Sequence, residues 1–461
     1  MPHSQGLLRF QIACKIHSRT QLNVPIHTGK STYQWHPFLP VETTPLFLNL
    51  EFKNIWLLTF VSALFGVATG LINSAAPQAV QLLHLSSVAL GLVGAGLPAG
   101  YTFSCLLCGH VFSGWPAKRV LFGGVLLGAI ALFLMAIART STVLVAAQLL
   151  YGLASGAVWP FVSGWLLEFE STAIDKPRLL RHYNVSWTAG TATGMFVGGQ
   201  ICNHGWIFET FYVAVSVALG ALLLVSLARE PRAHSELAEF PSDPTTGPHA
   251  DSARLPATNI QHVSLAMLVA AVLFNLSAIG TKTLIAVNYV ELNQKIGNGA
   301  DRMGLLMAVG LLSQLAAFSA GRHYEPLLGL RRVYIFGGIT LMAVNWTYAT
   351  CDWLPALILA EAVTGFVLAM AFQCAILAFI SRSATPRQGT TLLEASVGAA
   401  GLAPLAAGAV SEYFKHAGSD TLFALRAPFY VTMGLLGIVL LIQVLLVPAE
   451  KKRRLLMRQD S

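Results

Sequence analysis

The sequence predicts an all-α integral membrane protein, with twelve transmembrane helices arranged as two pseudo-symmetric six-helix bundles. Three observations lead there. The chain is 55% hydrophobic and 11% charged, against ~25% charged residues in a soluble domain. Apolar stretches stand at roughly 55–74, 88–111, 119–138, 142–167, 184–203, 207–228, 262–290, 302–321, 332–350, 354–381, 387–411 and 427–448. Each can cross a hydrocarbon core of ~30 Å as a helix, which takes ~20 residues. The third observation is a repeat between the two groups of six, described below.

The connections orient the spans. Of the 29 Lys and Arg residues, 23 fall in the two termini and in every second connection. The N-terminal segment carries Arg9 to Lys53. Even connections carry Lys118 and Arg119, then Lys176, Arg178 and Arg181, then Arg229, Arg232 and Arg254, then Arg322, Arg331 and Arg332, then Arg382 and Arg387. The tail carries Lys451 to Arg458. The positive-inside rule then places both termini in the cytoplasm, with the plasma (inner) membrane as the expected location. The formal charge of +8 therefore points to anionic lipid headgroups as partners and not to nucleic acid.

The domain order follows. Residues 1–54 form a flexible cytoplasmic tail, without the sustained apolar core or small-residue cleavage site of a signal peptide. Residues 55–228 form the first bundle and 262–448 the second. Between them, 229–261 is rich in Pro, Asp, Glu, Ser and Thr, a linker composition, and 449–461 is a basic tail. The two bundles repeat one another. Lys118-Arg119-Val120 is followed by Gly123-Gly124, and Arg331-Arg332-Val333 by Gly337-Gly338. Gln148 and Gly152 match Glu361 and Gly365, 213 residues on, and Phe211-Tyr212-Val213 matches Phe429-Tyr430-Val431. Weak symmetry between six-span halves is how many secondary transporters are built, with substrate held between the halves.

At these residues the chain resembles the major facilitator superfamily, over about 55–448. The loop after the second span keeps that family's Gly109 and basic pair Lys118-Arg119, with Ser113 where an acid is usual; its second copy keeps an acid, Glu325, with Arg331 and Arg332. The resemblance implies a cytoplasmic latch between halves at this loop. The fourth span has Gln148 where the family often has Arg, followed by Gly152 and Gly156. The fifth carries Gly190, Gly194, Gly198 and Gly199, with Met195 where the family's exporters have Pro. Small residues at this spacing let helix backbones approach closely; they mark either an exporter motif or a packing face. The resemblance further implies that spans one, four, seven and ten line a central cavity, and that the protein works as a monomer.

Ionisable groups inside spans cost ~2.5–3.5 kcal/mol each on insertion scales and point to function. Lys282 and Glu361 both sit ~10–12 Å below the outer boundary by helix rise, and are expected to face one another. They read either as a coupling pair or as a structural one, with Lys282 snorkelling outward. Their first-half equivalents are Thr69 and Gln148. Tyr151 and Trp159 are the candidate substrate-contacting aromatics, and Asn73 and Gln314 candidate polar cavity residues. Glu394 reads as pairing with Lys118 or Arg119 when the cytoplasmic side closes, or as snorkelling. Cys105 and Cys108 read as packing, because no second Cys/His cluster completes a four-ligand metal site.

A secondary transporter follows, moving a small organic solute by alternating access. Proton-coupled export leads; an uptake permease or uncoupled facilitator for a sugar or metabolite is the alternative, and a non-transporting sensor on the same fold is a third. Substrate and protons are the expected partners. No cofactor is called for: the chain has no Gly-x-x-x-x-Gly-Lys-Ser/Thr phosphate loop and no cluster of catalytic groups, so neither an ATP-driven pump nor an enzyme is expected.

Overall fold

The computed structural model describes residues 45–83, 87–112, 115–168, 176–229, 272–278, 291–292, 295–297, 299–324, 330–380 and 386–446. Among these, the chain forms helices and short connections. In order they are α1 (Pro45–Leu82), α2 (Ser87–Val111), α3 (Ala117–Ala136), α4 (Ser141–Glu168), α5 (Lys176–Asn203), α6 (Ile207–Leu227), α7 (residues 272–278), α8 (Ala300–Tyr324), α9 (Leu330–Thr350), α10 (Leu354–Ile380), α11 (Pro386–Ala400), α12 (Ala403–His416) and α13 (Thr421–Leu446). Nine helical stretches among the described residues are long and apolar enough to cross a membrane. The seventh span and the linker lie largely outside the described residues.

The outer surface is apolar, as a helix bundle in lipid requires. Phe60, Phe103, Phe133, Leu223, Phe336 and Leu359 are all exposed. Trp115, Trp206 and Trp353 are exposed in the turns between helices, where amphipathic rings sit at headgroup depth.

Helix ends differ from the apolar limits where polar residues continue a helix past the hydrocarbon. Thus α1 and α5 begin at Pro45 and Lys176. The eleventh span departs from the expected single helix. It breaks at Gly401-Leu402 into α11 and α12. Pro404, in the first turn of α12, has no N–H to continue the ladder. Gly401 lies so close to the Pro98 ring of α2 that a Cβ would collide with it.

Glycines set the tightest crossings. On α1, a Cβ at Gly66 would stand 2.6 Å from the Trp187 carbonyl, and Gly70 abuts the Thr191 carbonyl. On α5, Gly190 and Gly194 abut the Ala63 and Val67 carbonyls, and Gly198 meets Ser74. These three α5 glycines are thus a packing face toward α1. The adjacent Gly199 faces a different helix: its Cβ would stand 2.9 Å from the Gly304 Cα of α8.

The repeat is physical as well as textual. Gly152 packs on the Leu97 carbonyl and Gly365 on the Gly310 carbonyl; both members of the second pair lie 213 residues beyond the first. Gly205 and Gly418, again 213 apart, have φ of 82° and 78°. Each ends its helix with the same two bonds. Gly205 N–H donates to the Cys202 carbonyl at 2.9 Å and Trp206 N–H to Ile201 at 3.4 Å; Gly418 N–H donates to Lys415 at 3.2 Å and Ser419 N–H to Phe414 at 3.0 Å. That is the paired 5→2 and 6→1 closure for which a left-handed residue is needed.

The basic residues of the α2–α3 and α8–α9 connections repeat a role too. Lys118 Nζ donates to the Ser226 and Ala228 carbonyls at 2.8 and 2.7 Å. Arg331 Nη2 donates to the Val444 carbonyl at 3.3 Å. Each cation holds the C-terminal end of the last helix of its own half, where free carbonyls and the helix dipole favour positive charge by ~0.3–1 kcal/mol. Arg119 and Arg332 are exposed, Gly109 lies in the last turn of α2, and Glu325 lies outside the described residues. Glu394, expected to pair with Lys118 or Arg119 when the cytoplasmic side closes or to snorkel, has another partner in this structure, described next.

Candidate functional site

A cavity of about 330 Å³ lies between the halves. Both contribute to its wall: α1, α2, α4 and α5 from the first, and α7, α8, α10 and α11 from the second. Its volume falls in the ~300–1,000 Å³ range of small-molecule sites. The α2 contribution is one helical face, Leu90, Val93, Gly94, Leu97, Pro98 and Tyr101, spaced by three and four residues as a single face requires.

The acid of the described lining is Glu394 of α11, 6% exposed. The Tyr101 hydroxyl of α2 donates to its Oε2 at 2.6 Å. The bond crosses between halves. It supplies one charge-assisted hydrogen bond of the kind a buried carboxylate needs, while Oε1 makes no hydrogen bond to a described residue. Sequence depth placed Glu394 two turns from Arg387 and suggested a headgroup or loop partner. The helix instead turns it inward, where a neighbouring helix offers a phenol.

Aromatic rings line the wall beside it. Trp159 packs against the small cluster of Tyr101, Cys105 and Ala395. Its ring lies 6.4 Å from Tyr183 and 6.2 Å from Trp187. Trp187 in turn lies 6.2 Å from Phe318 of α8, and Phe318 6.1 Å from Phe372 of α10. These edge-on contacts, favoured by ring quadrupoles, run unbroken from one half to the other.

Two sets of contacts join the halves at opposite ends of the cavity. At the end that carries Lys118, Asn184 Nδ2 of α5 donates to Gln373 Oε1 of α10 at 2.9 Å, both residues fully buried. Trp187 Nε1 donates to Asn184 Oδ1 at 3.3 Å. At the other end the contacts are backbone on backbone, Gly199 against Gly304, and Gly91 of α2 against Pro404 of α12.

The expected cavity residues divide. Thr69, Asn73, Gln148, Trp159 and Gln314 line the cavity. Tyr151 does not; it is fully buried behind the wall, stacked on Phe65 at 5.4 Å, its hydroxyl 2.9 Å from Thr69 Oγ1. Glu361 is buried but lies outside the lining, its Oε2 2.6 Å from where a Cβ of Gly310 would stand. Lys282 lies outside the described residues. Tyr101, Tyr183 and Asn275 were not marked by the sequence. Asn275, 2% exposed, contributes to the cavity lining, and its buried Nδ2 has no described partner. Cys105 and Cys108 are buried, with Cys105 Sγ 3.8 Å from the Gly156 carbonyl and Cys108 Sγ 3.6 Å from Ser104 Oγ. Cys105 thus packs at the α2–α4 crossing, and Cys108 meets a side chain of its own helix.

Comparison with known proteins agrees with this architecture. The Major Facilitator Superfamily profile matches residues 58–392. Multidrug resistance protein 1 of Bacillus subtilis (strain 168) is 21% identical over 347 residues, 74% of this chain and 85% of that protein. The fold is similar to that of nucleoside transporter NupG, with a TM-score of 0.65 at 14% identity over 87% of this chain and 100% of that one. It is also similar to a bacterial homologue of the human lysosomal transporter Spinster, inward-facing and unoccupied (TM-score 0.63, 13% identity, 86% and 96% covered). A third similar fold is the human organic anion transporter MFSD10 (TM-score 0.57, 13% identity, 85% and 99% covered). This integral membrane chain, helical throughout its described residues and built around a central cavity, belongs to the major facilitator superfamily of membrane transporters.

Proposed function

We propose that the chain exports a small organic solute by alternating access, driven by protons. The observation that carries this is the shared cavity with Glu394 in its wall: both halves line it, and the acid's partner belongs to the opposite half. Rocking of the halves about the cavity, 55–228 against 262–448 across the linker 229–261, must change the Tyr101–Glu394 contact. A bound proton and a bound substrate each alter the same carboxylate, which is the differential interaction that coupling requires. Glu361 lies outside the lining, so Glu394 is the better placed of the two acids to exchange protons with the pathway.

Export is supported by the distant likeness to a multidrug resistance protein. The charge pattern supports cytoplasmic termini in the plasma membrane, with the tails 1–54 and 449–461 on that side. Having both sides of the site in one chain supports action as a monomer.

The test is proteoliposomes with an internal pH indicator, challenged with a pooled library of drugs and metabolites. Solute-dependent proton movement in the wild type, absent in Glu394→Gln, supports the reading. Solute movement without proton movement, unchanged in Glu394→Gln, makes the protein a facilitator. Movement of no solute in either direction removes transport itself.

A further inference from the structure

We propose that a groove between α8, α9 and α10 binds one anionic glycerophospholipid, with the Arg332 guanidinium on its headgroup phosphate and an acyl chain laid along α9 and α10. The groove shares no lining residue with the central cavity. The proposal stands independently of the transport reading above.

Shape and surroundings point to an acyl chain. The groove has a volume of about 470 Å³; α8 contributes Ser313, α9 Phe336, Gly337 and Thr340, and α10 Val363 and Val367. It opens outward, since Phe336 is 65% and Phe366 39% exposed. On α9 the lining runs from Arg332 to Thr340, ~12 Å by helix rise. Both helices read as spans, so the groove lies along the direction of the lipid chains. A groove left empty in hydrocarbon forfeits the dispersion contacts of its lining atoms, and a flexible chain restores them.

The groove follows from a difference between the halves. In the first half, a Cβ at Gly124 of α3 would stand 3.1 Å from the Ala157 Cβ and 3.3 Å from the Ala154 carbonyl of α4. Its match in α9, Gly337, lies 213 residues on. There a Cβ would meet the Val367 Cγ1 at 3.0 Å and the Phe274 ring at 3.2 Å. Val367 stands where the first half has Ala154, so its added methyls reach α9 before the α10 backbone does. Ala362, in the lining, stands where the first half has the larger Leu149. One substitution holds the helices apart and the other leaves the space unfilled.

Charge selects the headgroup. Arg332 is exposed in the first turn of α9, at one end of the groove. Its connection to α8 also carries Arg322 and Arg331, against one acid, Glu325. The charge pattern supports this end as cytoplasmic, and basic pockets between spans on that side favour acidic lipids. A guanidinium presents paired N–H donors that match phosphate oxygens. Choline and ethanolamine headgroups carry the same phosphate but bring a cation of their own beside the arginines. Phosphatidylglycerol brings none.

The probes are phosphatidylglycerol and phosphatidylcholine with identical oleoyl chains, titrated into the purified full-length protein in a neutral detergent. Native mass spectrometry counts bound lipids and resolves a second protein copy. The wild type is expected to bind one phosphatidylglycerol about tenfold or more tightly than phosphatidylcholine, the range for a hydrogen bond to a charged group. Arg332→Gln is expected to remove that preference, and Arg332→Lys to keep part of it. Ala362→Trp, which fills the groove and leaves the arginine, is expected to weaken binding of both lipids. Arg119→Gln alters the matching exposed arginine of the first half and is expected to change nothing. Melting of each variant shows that it is folded. Equal binding of the two lipids by the wild type overturns the assignment, as does unchanged phosphatidylglycerol binding in folded Ala362→Trp. An equal loss in Arg119→Gln and Arg332→Gln also overturns it, by showing diffuse attraction to the basic side. A second copy of the chain in place of lipid, lost in Ala362→Trp, overturns it in favour of a dimer contact.

Discussion

The Tyr101 hydroxyl and the Glu394 carboxylate meet at 2.6 Å across the boundary between the two halves. Neither element belongs to the set that lines the cavity most obviously by sequence. The contact joins α2 to α11 at the point where α11 is about to break, one turn before Gly398 packs on Tyr101 and Thr102. On the proposed rocking of the halves, this hydrogen bond reports the state of the boundary.

Tyr101→Phe removes the donor and keeps the ring. A hydrogen bond to a charged group contributes ~1.5–3 kcal/mol, so solute-driven proton movement is expected to fall roughly tenfold or more. Melting is expected to fall as well, because the ring still fills its place but the buried carboxylate loses its donor. Initial rates in proteoliposomes at several pH values check this; a variant that transports like the wild type would show that the phenol does not serve the carboxylate.

Asn184 and Gln373 make a neutral counterpart two turns from the Lys118 end. Both side chains are fully buried, so losing one partner leaves the other's polar group without its bond. Asn184→Leu is expected to loosen this end and raise its open population several-fold, since ~1 kcal/mol is about a fivefold change. A single cysteine at Ser155 on the cavity wall should then react faster with a membrane-impermeant thiol reagent added from that side. The double variant Asn184→Leu/Gln373→Leu should recover part of the loss in stability, because it leaves neither amide unpaired. Unchanged labelling in Asn184→Leu would mean that the amide pair does not hold the end closed.

Gly199 and Gly304 hold the opposite end by backbone contact. Gly304→Val places side-chain atoms where the Gly199 Cα now stands, at 2.9 Å from a Cβ. The halves cannot meet there, so cyclic transport is expected to cease while the protein still folds and binds ligand from that side. Gly123→Ala is the control: a Cβ there meets nothing within 4 Å, and an exposed helical alanine favours the helix by up to ~1 kcal/mol over glycine. It should transport normally and melt slightly higher. Normal transport by a folded Gly304→Val would exclude this contact from the cycle.

Much of the fold was legible because its signals are one-dimensional. Hydropathy fixes depth, basic residues mark one side, and the 213-residue repeat appears as paired glycines whose close contacts recur in both halves. The site was less legible because depth carries no azimuth. Glu394 and Glu361 are both acids in apolar helices, yet one turns into the cavity and the other toward Gly310 of α8. Which way each turns depends on the partner helix, and the sequence states no partner. Tyr101 was hidden for the same reason: α2 is apolar on all sides, so its cavity face has no contrast. The family resemblance implied a latch between the halves at Lys118 and Arg331; in this structure carbonyls at the ends of α6 and α13, distant in sequence, also accept from them.

The two buried acids can be told apart by parallel neutralisation. Glu394→Gln changes a group in the cavity wall, so it is expected to lower both solute binding and proton movement while leaving melting near that of the wild type. Glu361→Gln changes a group packed between α8 and α10, outside the lining. It is expected to shift melting through altered packing and hydrogen bonding there, and to leave solute affinity within about twofold, because the group lies outside the lining. Binding, melting and proton movement measured on both variants decide it. Loss of proton movement in Glu361→Gln with intact binding would move coupling to α10 and leave Glu394 as a binding residue alone.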